Sequence, residues 1–164
     1  MGTSCTTRWL DDREQQTWAE LSTMILRLAP VLGARLEREF NISQFEYLIL
    51  ARLSETLGSM LRMSVLATIS GSSLPRLSQA VGRLEKRGWI SRRPDANDRR
   101  YTVAALTPAG REHLQEVAPA HVDAVREYIF DRLTQAEARQ LGAISQRILE
   151  GLPPDDSWPS TAAS

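Results

Sequence analysis

The chain has 164 residues, 42% of them hydrophobic and 24% charged, which suits one domain with a modest core and leaves no room for a second full one. Basic and acidic residues balance at 20 each, but residues 61–100 hold nine basic side chains against three acidic ones while both flanks are acidic, a distribution suited to a polyanionic partner. The longest apolar runs are too short for a signal peptide or a membrane span, so a soluble, cytoplasmic protein is expected, and the single cysteine, Cys5, has no partner for an internal disulfide.

Apolar residues recur every three or four positions at Trp18, Leu21, Ile25, Leu28, Leu32 and Leu36. That period is one helical face, and it predicts a long amphipathic helix over residues 12–38, with a kink or break near Leu28 because Pro30 removes a backbone donor. Ser43 and Glu46 match the capping box, in which each side chain satisfies an otherwise orphaned amide, so a second helix starts there and runs into a core segment from Phe45 to Leu53. A short helix is predicted from Leu61 to a stop at Gly71.

The next helix has Ser73 as N-cap and Pro75 in its first turn, where amides lack helical partners anyway. Leu74, Leu77, Ala80, Val81 and Leu84 form its buried stripe, Gly88 ends it, and Arg76, Ser78, Gln79, Gly82 and Arg83 occupy the other face. Beyond Gly88 the pattern becomes extended. Residues 89–93 and 101–106 read as the strands of a hairpin, with turn chemistry at residues 94–98 and a basic tip. Thr107 and Pro108 open a long helix expected to reach Leu133 and to bend at Pro119. Thr134 and Glu137 form another capping box before a last helix carrying Leu141, Ile144 and Ile148 on one side, and residues 152–164 have the composition of a flexible tail.

Helix, short turn, helix, basic hairpin is the order of a winged helix-turn-helix, giving a mainly α fold with a small β-hairpin wing between long terminal helices. The segments LRMSVLA (61–67), LSQAVGRLEKRGWI (77–90), DANDRR (95–100) and VAALTPAG (103–110) resemble the MarR (multiple antibiotic resistance) family of bacterial transcription regulators, with family-like spacing over about 50 residues. The resemblance implies one domain: residues 43–106 as the winged helix-turn-helix core, and residues 12–40 and 107–150 as dimerisation helices. Two departures stand out. The wing usually reads Asp-Pro where this chain has Asp95 and Ala96, which predicts a more mobile wing tip. The family's redox sensors carry a cysteine within the first long helix, whereas Cys5 lies upstream, so a peroxide sensor of that type is not expected.

A helix fits the major groove, where base edges present donors and acceptors. Arg76, Ser78 and Gln79 are suitable readers, with Ser73 and Pro75 at the helix start and Arg83 further along the same face. The resemblance implies that Arg100 enters the minor groove while Asp98 braces the loop; Arg92, Arg93 and Arg99 then meet phosphates. Lys86 and Arg87 complement the helix dipole and are read as structural.

The outer helices expose more apolar face than one small lobe covers. Trp18, Leu21, Leu141, Ile144 and Ile148 are therefore expected to pair with a second copy, placing two recognition helices about one DNA turn, roughly 34 Å, apart. The implied function is a homodimeric regulator, a repressor on a pseudo-palindromic duplex, released by a small phenolic or amphipathic ligand for which no motif fixes the pocket. The alternative is a protein-interaction module whose basic wing docks an acidic partner. No Ser, His and Asp set, phosphate-cradling glycine loop or paired carboxylate site points to an enzyme. His113 and His121 lack a third ligand, so neither a metal nor a cofactor is expected.

Overall fold

The computed structural model describes residues 7–152, so the flexible-tail expectation for 153–164 and the position of Cys5 lie outside the described residues. Helix α1 (Asp12–Phe40) starts in a capping box formed by Asp11 and Glu14 and ends at Asn41, which takes the left-handed conformation (φ 52°, ψ 40°). It runs without a break through Pro30, contrary to the broken helix allowed for, because one missing amide bond is tolerated between regular turns on either side. Helix α2 (Gln44–Glu55) begins in the predicted Ser43 and Glu46 box.

The chain then forms strand β1 (Met60–Arg62), helix α3 (Met63–Ile69), helix α4 (Leu74–Lys86), strands β2 (Ile90–Pro94) and β3 (Thr102–Leu106), helix α5 (Pro108–Tyr128) and helix α6 (Gln135–Gly151). The sheet is antiparallel in the order β1-β3-β2. Here the structure corrects the reading of residues 61 and 62 as helix. Leu61 pairs with Ala104 and Arg62 with Val103, so three residues gain strand identity from a distant partner rather than from their own sequence.

Two further expectations are corrected. The helix from Pro108 stops at Tyr128 rather than Leu133, because Ile129 leaves helical geometry (φ −125°, ψ −72°) and a 3-10 turn, Phe130–Arg132, follows. Arg132 Nε donates to the Glu127 carbonyl at 2.9 Å, satisfying an acceptor the helix end leaves open. Leu74 is exposed rather than buried, being the first residue of α4 and lying on the rim of a cleft beside the hairpin.

The core gathers Leu36 and Ile42 from the α1–α2 corner, Ile49, Leu50 and Leu53 from α2, Leu66 from α3, Leu77, Val81 and Leu84 from α4, Ile90 from β2 and Val117 from α5. Removing a methylene-rich member such as Leu50, which has no exposed surface, typically costs about 2–5 kcal/mol.

Two histidines of α5 sit against this core. His113 stacks on Trp89 at 3.8 Å between ring centroids, and His121 lies 4.3 Å from the Tyr47 ring. Burial lowers the pKa of both; for His113 it outweighs the nearby Glu116 carboxylate, and Arg87 adds to the lowering. A base with a lowered folded pKa contributes stability above its ordinary range and loses it as pH falls through that range toward the folded value. The melting temperature therefore drops as the pH is lowered from neutral through the ordinary histidine range. His121→Phe, which keeps a ring on Tyr47 but cannot titrate, flattens that drop; an identical pH profile in the variant would remove His121 from the account.

Candidate nucleic-acid interface

Helix α4 and the β2–β3 hairpin build one surface. Ser73 caps α4, its Oγ accepting the Arg76 amide at 3.4 Å, and Pro75 occupies the first turn. Leu77, Ala80, Val81 and Leu84 anchor the inner side, so Arg76, Gln79 and Arg83 face outward. Ser78 is half-buried in a cleft of about 290 Å³ shared with Arg92, Arg100 and Tyr101, where the start of α4 meets the hairpin. The Arg76 guanidinium lies 4.8 Å from the Phe45 ring centroid, a contact that steadies it without using its donors.

The arginines of this surface divide by partner. Arg100 is 84% exposed yet held in a fork: Nε and Nη2 donate to Asp98 at 2.6–3.1 Å while its own amide donates to Asp98 Oδ1 at 3.1 Å. Asp98 thus ties the Arg100 side chain to the loop backbone, and the Arg100 side chain followed by its amide pulls the Asp98 carboxyl below the usual range. Arg92 Nε and Nη2 both donate to Glu85 Oε2 of α4, at 2.9 and 2.6 Å, and the Arg92 amide donates to Glu85 Oε1 at 3.2 Å. Arg83 Nε donates to Glu46 Oε1 at 2.7 Å, so this arginine is committed to the protein's own carboxylate. Arg93 and Arg99 are both exposed; among the described residues the Arg93 side chain has the Met60 sulfur, at 3.4 Å, as its one hydrogen-bond partner, and the Arg99 side chain has no hydrogen bond or ion pair.

The root of the hairpin is fixed from below. Asp95 is buried; its carboxylate accepts the Asn97 amide at 2.8 Å and Arg62 Nε at 2.5 Å, and both bonds keep its pKa below the usual carboxylate range. The Arg62 guanidinium also covers the Tyr101 ring at 4.5 Å. Sequence reasoning named Asp95 but missed Arg62, Glu85 and the second role of Glu46. Only the capping spacing of Ser43 and Glu46 gave any local signal.

Away from this surface, Trp18 and Ile144 are 58% and 54% exposed, Ile148 is also exposed, and Leu21 and Leu141 are half-buried. An open groove of about 710 Å³ runs along α1 beside the end of α5, lined by Met24, Leu28, Val31 and Tyr128 with Glu20 and Arg132. No helix among the described residues is long and apolar enough to cross a membrane.

Residues 40–100 match the model of the MarR family. Over its length the chain is similar to the crystal structure of Sco3205, a MarR family transcriptional regulator from Streptomyces coelicolor in complex with DNA. The two share 38% identity with a TM-score of 0.87, covering 93% of this chain and 96% of that one. The chain belongs to the MarR family. AbsC, a MarR family transcriptional regulator from the same organism, is 36% identical with a TM-score of 0.83, covering 88% of this chain and 97% of AbsC. The Escherichia coli transcriptional repressor MprA is 32% identical over 112 residues, 68% of this chain, and the match spans 63% of that repressor's length. The MarR fold accounts for the order of elements seen here, including the strand before α3 and the long helices at both ends.

Proposed function

We propose that the protein is a cytoplasmic transcriptional regulator that binds double-stranded DNA as a homodimer on a pseudo-palindromic operator, acting as a repressor and by binding rather than by catalysis. The observation that carries this reading is Arg100, exposed at the hairpin tip and aimed by Asp98, beside the exposed polar side of α4. A preset cation on a narrow ribbon suits the minor groove, and an outward helix face suits the major groove. The likeness to Sco3205, solved in complex with DNA, supports it.

In this reading Arg76, Ser78 and Gln79 read base edges near the helix start at Ser73 and Pro75, while Arg93, Arg99 and, on release from Glu85, Arg92 meet phosphates. Residues 43–106 contact DNA, and residues 12–40 with 107–150 hold the dimer through Trp18, Leu21, Leu141, Ile144 and Ile148. The exposure of Trp18, Ile144 and Ile148 supports that role, since apolar surface of this kind marks an interface. The groove along α1 has an apolar lining with a few charges, which suits a small amphipathic or phenolic ligand. Such a ligand releases DNA only by binding the DNA-incompetent state more tightly.

Selection of duplexes from a random pool tests the proposal directly. The expected result is an enriched palindrome with half-site centres about one helical turn apart, together with a dimer in sedimentation at micromolar protein. No enrichment in dilute salt, or a monomer at that concentration, overturns it.

A further inference from the structure

Arg83, in the last turn of α4, and Arg87, its C-cap, stand four apart and hence on the same side of the helix. Both reach back to a single corner. Arg83 Nε donates to Glu46 Oε1 at 2.7 Å, and Arg87 Nη1 donates to the Asn41 carbonyl oxygen at 2.6 Å. Asn41 is the C-cap of α1 and Glu46 sits in the first turn of α2, so the corner is where the longest helix hands over to the next. A guanidinium at the carbonyl end of α1 is also favoured by that helix's dipole.

The corner offers little slack. Glu46 is only 5% exposed, and its other oxygen already accepts the Ser43 amide at 3.1 Å and the Ser43 hydroxyl at 2.9 Å, the bonds that start α2. Asn41 is fixed in turn, its amide donating to the Glu37 carbonyl at 3.0 Å. Around these points α2 and α4 pack together in the core to which they contribute Leu50, Leu53, Leu77, Val81 and Leu84, all aliphatic side chains. Aliphatic packing is non-directional and permits rolling, whereas a charge-assisted hydrogen bond has a preferred direction. Two such bonds on one side of α4 set both its rotation and its position along its axis.

We propose that Arg83 and Arg87 are positioning residues that lock the recognition helix to the end of α1 and thereby set the half-site spacing the dimer accepts. The inference rests on the dimeric DNA-binding reading given above, and it makes Arg83, expected on the DNA-facing side of the helix, a brace instead. Helix α1 carries Trp18 and Leu21 near one end and this corner at the other, so a change in how α4 seats on the corner would shift its DNA-facing side relative to the proposed dimer contact.

The test uses full-length protein with the substitutions Arg83→Met and Glu46→Gln, singly and together. Glutamine keeps the capping box but removes the charge that Arg83 meets, and a buried glutamate cannot itself be a phosphate contact. Binding is measured by fluorescence anisotropy on an isolated half-site from the selected operator and on palindromes lengthened or shortened by one base pair. Expected is half-site affinity within about threefold of the parent with an unchanged salt slope, and a preference for the best spacing reduced by about tenfold in each variant. The double variant is no worse than either single one, as coupled residues require.

Unchanged spacing preference in both variants overturns the inference while leaving DNA binding intact. So does a salt slope lowered by about one in Arg83→Met alone, the signature of a lost phosphate contact. A parent protein that binds no duplex at all fails the dimeric DNA-binding reading first and takes this inference with it. If thermal melts show Arg83→Met to be unfolded, the spacing preference of Glu46→Gln decides.

Discussion

Arg100→Ala weakens operator binding about tenfold to a hundredfold, and the slope of log affinity against log salt falls by about one. The loss exceeds that of an ordinary surface arginine because the residue is paired. In the intact protein the Asp98 carboxylate is neutralised by Arg100, whose Nη2 lies 2.6 Å from it. Deleting the arginine leaves a bare negative charge at the hairpin tip, where the proposal places a phosphate-lined groove. Adding Asp98→Asn to Arg100→Ala therefore recovers part of the affinity. Asp98→Asn alone behaves differently: it frees the guanidinium but removes the bonds that aim it, so overall affinity changes little while the preference for narrow, A·T-rich minor grooves declines. These outcomes are read by titrating operators whose flanks are A·T-rich or G·C-rich at several salt concentrations. Equal losses for the single and double variants would show that Asp98 does not face DNA.

The same charges explain which parts of the interface were legible in sequence. Caps were readable because they are local: Ser43 with Glu46, Ser73, Thr107, and Thr134 with Glu137 all form the side-chain caps their spacing predicts. The inner stripe of α4 followed from the helical period, and the hairpin from turn residues between β-branched runs. Pairings across the fold were not readable. Arg83 meets Glu46 from 37 positions away and Arg62 meets Asp95 from 33, and no local pattern distinguishes these arginines from Arg93 or Arg99. A count of basic residues thus located the surface without showing that Arg83, Arg92 and Arg100 carry the protein's own acids. Strand β1 was missed for a related reason, since three residues that pair with β3 have no period of their own. The stop of α5 at Tyr128 has no glycine or proline to announce it.

Gly110→Ala destabilises the fold by at least about 2 kcal/mol, although alanine normally stabilises a helix over glycine. Gly110 lies buried in the first turn of α5, where its amide donates to Thr107 Oγ1 at 3.0 Å. The Thr107 amide donates to the Trp89 carbonyl at 3.0 Å and its hydroxyl to the Gly88 carbonyl at 2.7 Å, so the helix start is pressed onto the segment joining α4 to β2. A methyl at Gly110 would fall well inside van der Waals contact with the Trp89 carbonyl oxygen and 2.9 Å from a Leu106 methyl. The obstacle is backbone that cannot retreat. Trp89 is tied by its amide to the Leu84 carbonyl at 3.0 Å, and Gly88 before it holds a left-handed turn (φ 76°) that few other residues adopt. Relief must come from moving α5 away from the hairpin, which also parts His113 from Trp89. Gly82, on α4 with open space where its methyl would go, is the control: Gly82→Ala raises stability by about 0.5–1 kcal/mol. Urea unfolding of the two variants beside the parent gives opposite signs if the close approach at Gly110 joins the hairpin lobe to the helical body. A stabilised Gly110→Ala protein would mean that this junction yields.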